Sequence, residues 1–140
     1  INAAISDSEE NKKLYFIDAL NTQNTLEANH LLFLKNEHNI KDEEISQQEI
    51  KTKRLDKILD NYNFNDIDFM NIDVEGHELN VLNSIDFSKY RIKFICIEMI
   101  DHNDHTKLIN EKLNEILLKN NYALEKKIGF NFIFKKNDST

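Results

Sequence analysis

The stretch Ile67–Leu82, IDFMNIDVEGHELNVL, constrains this chain more than any other, because an apolar, strand-like run passes through a tight acidic turn into an amphipathic helical pattern. Asp73, Glu75 and Glu78 crowd that turn, and Gly76 between them is one of only 2 glycines in the chain. In an open α/β sheet, ligands bind outside the carboxyl ends of the strands. Side chains just beyond Ile72 are therefore placed to meet a substrate.

The rest of the composition narrows the class. At 140 residues the chain has the length of one domain, 1–140. With 40% hydrophobic and 31% charged residues in regular periodicity, it can bury a core and is not a disordered segment. A formal charge of −7 repels a phosphate backbone and excludes a general nucleic-acid surface; Lys51, Lys53 and Arg54 make only a local basic spot. The longest apolar run, Phe94–Ile97, is far short of the ~18 residues a membrane helix needs. The N-terminus has no signal-peptide pattern, so the expected location is cytoplasmic. Cys96 is the 1 cysteine, and its place in FICIEM predicts a buried small hydrophobe.

Along the chain, Ile1–Ile5 and Leu14–Ile17 read as short strands. Residues 18–48 read as an irregular insertion or weak helix, with Leu26, Leu31, Leu32 and Leu34 as its apolar positions, His30 and His38 facing solvent, and Ile40–Glu49 as a surface loop. Glu49–Arg54 alternates like a strand exposed on at least one face. Leu55, Ile58, Leu59 and Tyr62 fall at i, i+3, i+4 and i+7, a complete helical stripe. Ile67–Ile72 reads as the central strand, covered on both faces, and Ile92–Met99 as the next parallel strand. A helix is predicted from about Thr106 to Asn120, and Tyr122–Ile128 with Phe130–Lys136 form an antiparallel pair around Gly129. Phe69, Phe94, Phe130, Phe132 and Phe134 have strand spacing and read as core. The order of elements predicts an α/β fold, a mostly parallel sheet with an antiparallel C-terminal strand pair.

The segment IDFMNIDVEGHELNVLNSI resembles the signature of FkbM-type S-adenosylmethionine-dependent methyltransferases, in which the central strand runs into Asp-Val-Glu-Gly and a helix opening with Glu. AAISD near the start, RLDKIL before the strand, IKFICIEM after it and the closing NFIFKK occur in the family's order. Asn71 stands where members usually carry lysine. The resemblance implies a partial Rossmann-like class I methyltransferase sheet. It also implies S-adenosylmethionine as cofactor and a hydroxyl of a sugar, glycan or secondary metabolite as acceptor. Such enzymes cradle the cofactor with a glycine-rich loop after their first strand, yet no glycine precedes Gly76. The expectation is therefore that this is the C-terminal portion of a longer chain, with most of the cofactor pocket upstream of Ile1 and no activity in isolation.

The resemblance puts Ala4, Ile5 and Asp7 near the adenine, and Asp73 and Glu75 near the methyl group and acceptor. Methyl transfer from a sulfonium needs orientation and a base for the acceptor proton. Asp73 and Glu75 are the leading bases, with Glu98 and His102 as further candidates at the adjacent strand end. Capping is the alternative role for the acids of the turn, and it is preferred for Glu78, in the first helical turn. His77 reads as an exposed helix-start residue in preference to a base. No metal ligand is assigned; Asp101, His102, Asp104 and His105 with Glu98 and Asp73 would suit Mg²⁺, a less favoured reading together with metal-dependent hydrolysis. A non-catalytic binding module of a larger protein is the principal alternative to an enzyme.

Overall fold

The computed structural model describes residues 3–17, 23–100 and 104–137, with the backbone alone at 104 and 105. Strand β1 (Ala4–Ile5) is followed by β2 (Asn11–Ile17), helix α1 (Ala28–His38), a 3-10 turn at Asp42–Glu44 and β3 (Ile45–Lys53). Then come α2 (Leu55–Asn61), β4 (Asp66–Ile72), α3 (Glu78–Asn83), β5 (Arg91–Glu98), α4 (Asp104–Lys119), β6 (Tyr122–Ile128) and β7 (Asn131–Lys136).

These strands form two sheets, ordered β1-β3-β2 and β4-β5-β7-β6. The architecture is α/β, but the sheets are mixed rather than mostly parallel. Only β1 with β3 and β4 with β5 run parallel, whereas β2–β3, β5–β7 and β6–β7 are antiparallel. A parallel neighbour needs a long crossover, and within the second sheet only α3, between β4 and β5, provides one. After α4 the chain instead makes a hairpin through Gly129, whose φ of 59° suits a tight turn, and the predicted C-terminal antiparallel pair lies where expected.

One core lies between the second sheet and its helices. Ile72, Ile92, Ile95, Ile97 and Phe134 meet Val81, Leu82 and Ile85 from the α3 region and Leu113 and Leu117 of α4. Tyr122 is buried in it, with its hydroxyl donating to Ile92 O at 2.7 Å. A smaller cluster of Ile17, Leu34 and Ile40, flanked by Leu31, Phe33 and Ile45, holds α1 on β2 and β3.

Three expectations need correction. The segment Ile40–Glu49 is not a loop throughout, because β3 already begins at Ile45. Most of its side chains are exposed, but its backbone pairs with β2 from Ile45 to Lys51, and β1 adds to its other side at Thr52 and Lys53. Ile67–Ile72 is not a central strand: β4 is an edge of its sheet, and Phe69 is 56% exposed. Its core contribution comes mainly from the face of Met70 and Ile72, while Phe69 and Asn71 on the other face are exposed. Phe130, at the hairpin, is also exposed at 54%, while Phe134 is core as expected. Cys96 is buried, and burial followed by the charge of Asp73 raises its thiol pKa, so it is held in the unreactive form.

Candidate active site

The acidic turn is built by its own backbone. Glu75 and Gly76 both adopt positive φ, 51° and 95°. Glu78 reverses the chain's direction by accepting the N–H groups of Val74 and Gly76 on one oxygen, each at 3.2 Å. It is only 5% exposed, and its pKa is raised because burial outweighs those hydrogen bonds. Glu78 thus shapes the turn from the first residue of α3, a tighter version of the capping role expected for it.

Residues before and within α1 close over this turn. Thr25 Oγ donates to Glu75 O at 2.7 Å, fixing the left-handed residue. His77 is 1% exposed, not solvent-facing as its position after the glycine suggested. Its Nδ1 lies 2.5 Å from Glu27 Oε1 and its Nε2 3.1 Å from Ser6 Oγ. His30 is likewise turned inward, against the expectation for it. Its Nε2 lies 3.3 Å from Glu75 Oε2 without hydrogen-bond alignment. A Cβ added to Gly76 would stand 3.1 Å from His30 Cβ, so the glycine permits this close approach of α1. His38 is exposed, as predicted.

Beside the turn, a cavity of about 100 Å³ opens between α1 and α4. Asn29, His30 and Phe33 line it from α1, and Thr106, Ile109, Asn110 and Leu113 from α4. Gly76, Glu78, Glu98 and Ile100 close its end at the strand termini, with Glu27 at the rim before α1. Glu98, the last residue of β5, is half-buried there. Burial, then the negative charges of Asp73, Glu75 and Glu78, push its pKa from 4.5 up to about 7. A carboxylate poised near neutrality is suited to accept and release protons.

The remaining candidates lie apart. Asp73 is exposed just beyond β4 and does not line the cavity. Ala4 and Ile5 are half-buried in β1. Asp7 Oδ1 accepts from Asn80 Nδ2 at 3.1 Å and from Ser6 Oγ at 3.2 Å. Burial alone would raise its pKa, but these bonds and Lys12 leave it lowered. His102, with Asp101, lies outside the described residues, as do the side chains of Asp104 and His105. Among the described residues, no group of three or more His, Cys, Asp or Glu side chains is arranged to hold a metal ion.

Sequence reasoning missed His30, Glu27 and the buried state of His77. His30 and Phe33 at i and i+3 share a helix face, a weak signal that α1 presents a functional surface. His77 carried no local signal, because its partners are remote in sequence.

Cofactor chemistry can be tested against this donor set. An exposed carboxylate at a strand end, Asp73, fits a cofactor bearing hydroxyl and ammonium donors. Asp7 fits less directly, since one of its oxygens is already engaged by Asn80 and Ser6. Ala4 and Ile5 offer apolar surface beside it.

A strand-end acidic turn beside a cleft is the kind of place at which α/β sheets present ligands. The chain belongs to the FkbM methyltransferase domain family, which matches residues 1–124. No curated protein and no solved structure matches it. No described helix is long and apolar enough to cross a membrane.

Proposed function

We propose that the protein is an S-adenosylmethionine-dependent O-methyltransferase acting on a hydroxyl of a sugar, glycan or secondary metabolite. The observation that carries this reading is Glu98, a carboxylate with its pKa raised to about 7 in the wall of the cavity. The bound cofactor would supply an electrophilic methyl group on a sulfonium. Glu98 would take the proton of the acceptor hydroxyl as the methyl passes to that oxygen, the S–CH3 bond breaking to leave a neutral thioether. Glu75 lies beside His30, and the close approach of α1 at Gly76 sets the wall against which the acceptor is aligned. Asp73 binds cofactor donor groups, with Ala4, Ile5 and Asp7 beside it. His102 is a further base candidate on the segment after β5.

Incubating the protein with methyl-labelled S-adenosylmethionine and a panel of hydroxylated glycosides tests this reading. Label should appear on oxygen, and Glu98→Gln should lower the rate at least a hundredfold, within the usual range for losing a general base. Labelling that is unaffected by the substitution would remove Glu98 from the mechanism. No transfer to any hydroxyl would reject the activity.

A further inference from the structure

The cavity between α1 and α4 has two kinds of wall. Phe33 on α1 faces it together with Ile109 and Leu113 of α4, an apolar surface supplied by two helices. The other lining groups include Asn29, Asn110 and Glu98, which offer hydrogen-bond partners to hydroxyls. Among the described residues that line it, the ionisable ones are Glu27, Glu78, Glu98 and His30, with no lysine or arginine. An anionic ligand would meet carboxylates without a compensating fixed cation and is selected against.

Size restricts the occupant further. An apolar cavity of about 150 Å³ holds a benzene ring, so the roughly 100 Å³ here accepts about four carbon-sized atoms. That is one edge of a sugar ring with its substituent.

We propose that this cavity receives the C5–C6 edge of an uncharged 6-deoxy monosaccharide, and that Phe33 selects a methyl over a hydroxymethyl or carboxylate there. The proposal rests on the sugar-hydroxyl reading above and names the acceptor class within it. The deoxy methyl packs against Phe33, Ile109 and Leu113, while ring hydroxyls turn towards Asn29 and Glu98. Asn110 donates to Ile100 O at 3.2 Å, which holds its amide at the cavity wall. Phe33 is also held by the small cluster around Leu34, so its ring is fixed before a ligand arrives.

Saturation-transfer NMR titrations of the protein with three probes test the assignment without requiring turnover. Methyl β-D-fucopyranoside, methyl β-D-galactopyranoside and methyl β-D-galactopyranosiduronate differ only at C6, which is a methyl, a hydroxymethyl or a carboxylate. The fucoside should bind tightest, the galactoside about tenfold more weakly, and the uronate should not saturate. Phe33→Ala should bring fucoside and galactoside together, and Phe33→Tyr, which keeps the ring, should favour the galactoside. Equal or tighter binding of the uronate, no binding of any probe, or an unchanged preference in a folded Phe33→Tyr protein would overturn the proposal. Fucoside binding with no methyl transfer would support the cavity assignment and count against the transferase reading alone.

Discussion

His77 Nδ1 lies 2.5 Å from Glu27 Oε1, joining residues fifty positions apart. Through Ser6 on its other nitrogen, the same ring also reaches the end of β1. One buried imidazole therefore holds three parts of the chain together: the end of the first strand, the entry to α1 and the entry to α3. His77→Ala would leave the Ser6 hydroxyl and Glu27 carboxylate without this partner. Breaking such a network costs about 2–4 kcal/mol. Urea unfolding should show that loss in the midpoint; an unchanged midpoint would mean the network contributes nothing net.

The turn itself makes opposite predictions for adjacent residues. Glu75 holds a φ of 51°, which costs a side-chain-bearing residue roughly 1 kcal/mol. Glu75→Gly should therefore leave stability unchanged or raise it, while removing the carboxylate beside His30 and lowering methyl transfer. Gly76→Ala introduces both a strained φ and a Cβ 3.1 Å from His30 Cβ, and should cost about 1–3 kcal/mol. Thermal unfolding of the two variants compares them directly. A fall in stability for Glu75→Gly equal to that for Gly76→Ala would contradict the strain argument.

Much of the 55–99 region was legible because local signals agreed with tertiary roles. Leu55, Ile58 and Leu59 gave the stripe of α2, and FICI gave the interior of β5. DVEG stood out because carboxylates and one of only 2 glycines follow an apolar strand-like run, and the backbone turns there through two positive-φ residues. Other features depended on distant residues. β3 is rich in polar side chains, and what makes it a strand is backbone pairing to β1 and β2, which no local pattern reveals. Phe69 had the spacing of a core residue, yet its exposure follows from β4 lying at an edge. His30 enters the site only because Gly76 lets α1 approach, a relation between segments far apart in sequence.

Glu98 predicts opposing pH effects on activity and stability. As the base it must be ionised, so methyl transfer should rise with pH through about 7. Its folded pKa lies above the ordinary 4.5, so between those values the folded state binds more protons than the unfolded one. Stability should then fall as pH rises across that window. Discounted for partial solvent screening, the loss is on the order of 1–3 kcal/mol. Glu98→Gln should flatten this stability slope while lowering turnover. Unfolding curves at pH 5 and 8 for both proteins check the sign, and a slope that persists in Glu98→Gln would assign it to another group.

Asp73 separates a functional acid from a structural one. Its side chain is exposed and makes no hydrogen bond or ion pair among the described residues, so Asp73→Asn should change stability by less than about 0.5 kcal/mol. Two functional effects are expected. The KM for S-adenosylmethionine should rise about tenfold, the scale of one lost hydrogen bond to a charged group. The midpoint of the pH–rate profile should also move to lower pH, because Asp73 is the charge that contributes most, after burial, to raising the pKa of Glu98. A higher KM with an unmoved profile would leave Asp73 as a cofactor ligand and exclude its action on Glu98. An acid-shifted profile with unchanged KM would do the reverse.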